Sequence, residues 1–247
     1  MNRRFLYGVA FLLLIMARTG FGLPAEIVIG RAGDSQDTLI AYKILKVAYA
    51  KLDVKAVDAP MPALRSLIEL EEGRIDAEAQ RIDALKHRYK NIVQVPIQIN
   101  FITAAGFSWR REISVRTWED LNAYKVGIVR GIRFADIGTQ HHPDRTLFPN
   151  YNSLFKSLAK QRIDIAIAPK MNGFMEIATL KAHDQLHLVA KNLQVIPLFH
   201  YLSTKKKEFY EPIYSVLQDM QANGELEKIR QEVLVKYYKM PVAYFDK

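Results

Sequence analysis

The sequence predicts an α/β protein with parallel sheets, and three observations point there. Short apolar runs alternate with amphipathic stretches at helical spacing, a pitch that needs crossover connections between parallel strands. A ten-residue pattern occurs twice, once in each half of the chain, which suggests two similar α/β lobes. The length of 247 residues, 49% of them hydrophobic, suffices for one large domain or two lobes of about 100 residues each.

Ile27 to Ile29 reads as a buried strand ending at Gly30. Asp34 and Ser35 offer N-cap oxygens to a helix whose inner side carries Leu39, Ile40, Ile44, Leu45, Ala48 and Leu52. Val54 to Val57 is a second strand. Pro62 suits the first turn of a helix bearing Leu64, Leu67 and Ile68, which Gly73 stops. Ile75 to Ala79 and Ile92 to Val95 are further strands. In the second half, Trp118 to Leu121 is a short helical turn and Lys125 to Val129 a strand running into Gly131. Leu154 to Lys160 is a helix, and Ile163 to Ala168 a strand ended by Pro169. Leu186 to Val189 and Leu198 to Leu202 are strands. Lys206 to Tyr238 is helical, broken near Asn223-Gly224, with Ile213, Val216, Leu217 and Met220 on one face. The repeated pattern is Leu67 to Asp76 against Phe155 to Asp164: an amphipathic helix, a tight turn, Arg-Ile-Asp, then a strand.

Arg3 and Arg4 precede an apolar stretch from Phe5 to Ala17, followed by Thr19-Gly20-Phe21-Gly22. This is the layout of a secretory signal over residues 1–25, with cleavage after Gly22 or Ala25, and it predicts a periplasmic protein. The apolar core is short for a bilayer of roughly 30 Å. No cysteine occurs, which excludes disulfides, thiolate metal sites, cysteine nucleophiles and a lipid anchor at the cleavage site. The net charge of +9, from 35 basic and 26 acidic residues, is scattered rather than blocked. It favours acidic small ligands or anionic surfaces only weakly and gives no expectation of nucleic acid.

The segments Arg65-Ser66-Leu67, Glu72 to Asp76, Thr117 to Leu121, Lys125 to Gly131, Leu158 to Ala168 and Gly224 to Ile229 together resemble extracellular solute-binding protein family 3, the two-lobed (type II) periplasmic amino-acid-binding type. The resemblance implies one lobe from 26–103 with 204–247, another from 104–203, and a hinge of two crossing strands. It also implies that an arginine ahead of the first hinge holds a ligand carboxylate; Arg88 matches that position and Arg81 competes with it. Ile132 stands where the family has a threonine, and Pro169-Lys170 where it has an acid for the ligand ammonium. The aromatic and proline segment of the first lobe is missing between Gly30 and Ser35. The chain resembles a divergent branch, for which an ordinary α-amino acid is not the expected ligand.

Open α/β sheets bind ligands at the carboxyl ends of strands, beside helix starts. Gly33-Asp34-Ser35, Gly131-Ile132-Arg133 and Pro169 to Asn172 fit that geometry. Arg81, Arg88, Arg133 and Lys170 can add cations, and arginine grips a carboxylate or phosphate through paired hydrogen bonds. With Arg65, these give the candidate ligand-binding set Asp34, Ser35, Arg65, Arg81, Arg88, Gly131, Ile132, Arg133 and Lys170. Glu78 reads as an outward strand residue, with a buried acid at the cleft as the alternative. His183 and His187 lack the glutamate of a zinc-protease helix, and His141-His142-Pro143-Asp144 reads as a polar loop, so no metal or cofactor is expected. No Gly-x-Ser-x-Gly elbow occurs. Tyr237, Tyr238, Tyr244 and Phe245 are expected to pack against a lobe.

The expected function is that of an exported, monomeric, non-enzymatic solute-binding protein. It would close on a small polar or anionic molecule and present it to a membrane permease of an ABC transporter. Two alternatives stand beside it: a ligand-binding module feeding a membrane sensor, and a small-molecule lyase or dehydratase with Glu78 or His200 as its acid or base.

Overall fold

The structure, a computed structural model, describes residues 22–32, 37–83, 85, 88–241 and 244. Most of the expected export signal, Asp34, Ser35 and Phe245 lie outside the described residues. Among the described residues, no helix is long and apolar enough to cross a membrane.

The chain runs through β1 (Glu26–Ala32), α1 (Thr38–Ala50), β2 (Lys55–Met61), α2 (Ala63–Glu71) and β3 (Ala77–Ile82) before entering the long strand β4 (Ile92–Ser108). A second run follows: β5 (Val126–Val129), α3 (Arg133–Gly138), β6 (Arg145–Phe148), α4 (Tyr151–Ala159) and β7 (Ile165–Pro169). Then come α5 (Lys170–Thr179), a second long strand β8 (His187–Ser203), α6 (Tyr210–Ala222) and α7 (Glu225–Tyr238). The eight strands lie in the order β2-β1-β3-β8-β4-β7-β5-β6.

Both ends of this sheet are parallel, as the alternation of strand and helix requires. β1 pairs in parallel with β2 and β3, and β5 with β6 and β7. Each half is therefore a β-α-β-α-β unit with its first strand in the middle. The repeated sequence pattern closes each unit in the same way. Gly73 and Gln161, at matching places in the repeat, both take left-handed backbone (φ 68° and 56°) and turn the chain out of α2 and α4. The aspartate that follows then caps the neighbouring strand: Asp76 Oδ2 accepts from Val28 N at 2.8 Å, and Asp164 Oδ2 from Lys125 N at 2.9 Å.

β4 and β8 run antiparallel through the middle, paired from Ile92–Ser203 to Ser108–His187. β3 pairs with the last part of β8, and β7 with the last part of β4, so both strands serve both halves. Sequence reasoning predicts three short strands here instead of two of 17 residues. The register shifts between Gln94 and Gln98, around Pro96, and again beyond Ala104, which breaks the two-residue alternation that marks a strand. β6 is likewise not predicted, and of α3 and α5 only the starts are. α3 and β6 are short, and α5 starts at Pro169-Lys170 with a glycine inside. That glycine is a packing requirement: a Cβ on Gly173 would run into the ring of Phe107 on β4.

The helical face of α1 buries Ile40, Ile44, Leu45, Ala48 and Tyr49, and α6 buries Ile213, Leu217 and Met220. Their cluster continues into the second half through Ile99, Ala105 and Phe107 of β4, taking in Phe155, Phe174 and Tyr244. Gly224, at φ 79°, makes the break between α6 and α7 at the expected place.

Candidate functional site

The carboxyl ends of β1, β3, β5 and β7 converge on one cavity of 540 Å³. That is within the range of about 300–1,000 Å³ usual for small-molecule sites. The first half contributes Ala32, the start of α1 at Asp37 and Thr38, the start of α2 at Ala63, and Gln80-Arg81-Ile82. The second half contributes Gly131 to Phe134, Tyr151 and Pro169 to Asn172. Phe101 to Thr103 and Leu198 of the two long strands form the floor between them, and Arg230 of α7 and Tyr244 complete the wall.

The structure brings Arg81, Gly131, Ile132, Arg133 and Lys170 of the candidate set to this cavity. It does not bring Arg65 or Arg88. Arg65 lies on the outer side of α2, its side chain 70% exposed, 3.6 Å from Glu69. Arg88 is exposed and rests 5.9 Å from the ring of its neighbour Tyr89. Both leave the cavity to arginines that the fold buries.

Arg81 sits over a buried acid. Its Nη2 donates to Ala63 O at 2.8 Å and stands 3.0 Å from Glu78 Oε1. Glu78 has no exposed surface, which corrects the expectation of an outward-facing side chain. Ser66 Oγ donates to its other oxygen, and Gly30 of β1 leaves the room, since a Cβ there would strike Ser66. Burial pushes the Glu78 carboxyl up to about 7, against the opposing pull of Arg81 and Ser66. Arg81 Nε, also buried, has no hydrogen-bond partner, and Glu78 Oε1 meets Arg81 as an ion pair through Nη2.

The cation that sequence reasoning misses is Arg230. Only 7% of it is exposed, and it enters the cavity wall from the middle of α7. Its Nε donates to Asn100 Oδ1 at 3.2 Å and its Nη2 to the Tyr244 hydroxyl at 3.2 Å. Its guanidinium lies 4.0 Å from the ring centre of Phe101. The nearest acid, Glu227, is 3.9 Å away and half-exposed. Asn100 in turn donates to Gln80 Oε1 at 2.8 Å, and Gln80 donates to Asp37 Oδ2 at 2.5 Å. One polar chain thus fixes Arg230 across α7, β4, β3 and the start of α1. A signal was present in the sequence: Arg230 shares the apolar stripe of α7 with Leu226, Val233 and Leu234, where a charge is out of place.

Lys170, 7% exposed, begins α5 with its Nζ 5.4 Å from the Tyr244 ring centre. Arg133 stands exposed at the rim. Among the described residues, four cationic side chains and one carboxylate, Asp37, therefore line the cavity.

The candidates for acid–base chemistry lie elsewhere. His200 is fully buried, accepting from the Tyr49 hydroxyl at Nε2 and donating from Nδ1 to Glu78 O, each at 2.8 Å. Burial holds it down at about 4. Neither His200 nor Glu78 lines the cavity. His142 bonds the Leu121 carbonyl and His187 meets Arg111 Nε. Among the described residues no three His, Asp or Glu side chains stand together in a metal-holding group.

No protein-family model matches the chain. An uncharacterised protein of Shewanella oneidensis is 24% identical over 195 residues, covering 77% of this chain and 74% of that one. Among solved structures, an ancestral arginine-binding protein bound to glutamine superposes with a TM-score of 0.59 at 18% identity, over 85% of this chain and 98% of its own. A histidine kinase sensor domain with similarity to periplasmic binding proteins gives 0.57 at 19% identity, covering 84% and 95%. An ancestral amino acid-binding protein, described as a precursor of cyclohexadienyl dehydratase, gives 0.59 at 15%, covering 84% and 94%. The chain therefore has the two-lobed α/β fold of the periplasmic-binding-protein-like proteins.

Proposed function

We propose that the chain is an exported solute-binding protein that closes two lobes, residues 26–103 with 204–247 and residues 104–203, around a small anionic solute. The observation that carries this reading is the cavity itself. It draws its walls from both halves of the sheet and, among the described residues, sets Arg81, Arg133, Lys170 and Arg230 against Asp37. Arg230, only 7% exposed with its nearest acid 3.9 Å away, is costly to bury until an anion meets it. Residues from both halves then touch the same ligand, and ligand binding favours the closed arrangement because only there are all contacts made. Gly131, Ile132 and Arg133 would supply the second lobe's contacts and Arg81 the first's. The carrier would act as a monomer and hand its solute to a membrane permease from the periplasm.

A second reading, sensing rather than transport, is favoured by the shared fold of the histidine kinase sensor domain. Closure would then be read by a receptor.

The test is a thermal-shift screen of the purified protein against small organic acids, phosphates, sugars and cations. A ligand that binds only the folded state raises the melting temperature by an amount that grows with its concentration. The reading predicts anions among the hits, with their effect lost in Arg81→Ala or Arg230→Gln. Hits confined to cations or neutral solutes would contradict it. Affinity capture with the ligand-saturated protein from solubilised membranes separates the two readings, by whether a permease or a receptor is retained.

A further inference from the structure

The same cavity indicates the chemical class of its ligand, an inference that rests on the solute-binding reading above. Arg81 already faces the Glu78 carboxylate at 3.0 Å, and the carboxylate of Asp37 accepts from Gln80. Arg230 differs, because its nearest acid is 3.9 Å off and half-exposed while the residue itself is almost wholly buried. It is also the best oriented. Asn100, Tyr244 and Phe101 hold the plane of its guanidinium, so an incoming carboxylate meets a fork whose freedom is already lost. Tyr244, whose hydroxyl accepts from Arg230, also has Lys170 Nζ 5.4 Å from its ring centre.

Much of the remaining lining is apolar, beside Thr38, Gln80, Thr103, Tyr151 and Asn172. Ile40, Leu67, Ile82 and Phe101 come from one half, and Ile132 and Phe134 from the other. An amino acid would bring an ammonium group into a cavity lined, among the described residues, by four cations and one carboxylate, where like charges oppose it. An acid with a hydrocarbon body brings one negative charge and fills the apolar walls.

We propose that the ligand is an organic carboxylate with a branched or aromatic apolar body and no ammonium group, gripped by Arg230 from the last helix. The binding residue on that helix would then set the preference for deaminated acids.

Pairs of compounds that differ only by the ammonium group test this. Isothermal titration compares 3-phenylpropanoate with phenylalanine and 4-methylpentanoate with leucine on the full chain. In each pair the acid is expected to bind more tightly by about tenfold or more. Arg230→Gln is expected to weaken the acids by about tenfold or more, with Arg230→Lys between the two. Far-ultraviolet circular dichroism and the melting temperature show whether each variant is folded; should Arg230→Gln not fold, Arg230→Lys and Asn100→Ala are the readout. Amino acids that bind as tightly as their deaminated partners would overturn the inference and leave the solute-binding reading standing. So would acids whose affinity is unchanged in the folded Arg230 variants, or a screen in which other anions bind and neither series does. If no small solute binds at all, both fall.

Discussion

Arg230 Nη2 donates to the Tyr244 hydroxyl at 3.2 Å, and the ring of Tyr244 packs edge-on against Phe174 of α5, centre to centre 5.7 Å. One side chain after α7 thus joins the helix that carries the cavity's buried arginine to the other half of the sheet. Tyr244→Phe keeps the ring contact and removes the hydroxyl, at an expected cost of about 1 kcal/mol. Tyr244→Ala also empties a buried site, and the loss rises to about 3 kcal/mol. Urea denaturation of the three proteins checks the order; equal midpoints for Tyr244→Phe and Tyr244→Ala would show that the ring does not hold the halves together.

Glu78 makes stability depend on pH. Its folded-state pKa is raised from 4.5 to about 7, so the folded protein holds the proton more tightly than the unfolded chain does. The resulting stabilisation is fully present below about 4.5 and is lost as pH rises through about 7. At 1.36 kcal/mol per unit that loss is about 3 kcal/mol. His200 acts on the acid side with the opposite sign. Its pKa is lowered from 6.5 to about 4, and stability drains away as pH falls between those values. The two windows overlap and largely cancel, so the wild type is expected to change little from pH 5 to about 6.5, to weaken slightly through pH 7 and to level off by about pH 8. Glu78→Gln, which keeps the shape without the titration, should flatten the limb above pH 6 and expose the histidine limb below it. Urea midpoints at pH 5, 6.5 and 8 measure both; an undiminished loss above pH 6 in Glu78→Gln would contradict the assignment.

Asp76 and Asp164 perform the same task in the two halves, each accepting from a backbone N–H of the neighbouring strand. Replacing either by alanine is expected to cost about 1–2 kcal/mol, because a strand N–H loses its acceptor. Asp76 also meets Lys206 Nζ at 3.2 Å, which places its loss at the upper end. Denaturation of Asp76→Ala, Asp164→Ala and the double variant checks this; the two single losses should add, since the sites lie in different halves.

Gly173 allows α5 to lie against Phe107. Gly173→Ala would improve helix propensity yet force the helix off the ring, and the packing cost should win, with a net loss of about 1–3 kcal/mol. The measurement is again the urea midpoint. A gain in stability would mean that the ring yields freely.

Much of this fold can be read from local pattern, because its halves are built from short parallel units. Gly73 and Gln161 close those units at matching positions, and Arg-Ile-Asp after each turn is visible as a repeat. The long strands are less legible. Pro96 and the polar residues Gln94, Gln98 and Asn100 interrupt the alternation of β4, and only pairing across the molecule with β8 makes it one strand. Gly131 and Lys170 line the cavity and are legible because they follow strands that sequence periodicity marks. Arg65 and Arg88 enter through the family resemblance, and a matching position in sequence does not turn a side chain toward the cavity. Arg230 comes from more than a hundred residues beyond the strand it leans on, and only its place in the apolar stripe of α7 marks it. Glu78 lay hidden because alternation says which face a strand residue takes, and not whether a helix such as α2 covers that face.

The account stands on a small anion lodged between the two halves of the sheet. A crystal structure with the tightest-binding anion of the screen tests this most directly. It should show the acidic group within hydrogen-bonding distance of Arg230, Arg81, Arg133 or Lys170, with residues of both halves touching the same molecule. An anion bound on an outer surface, or held by one half alone with the cavity empty, would contradict it.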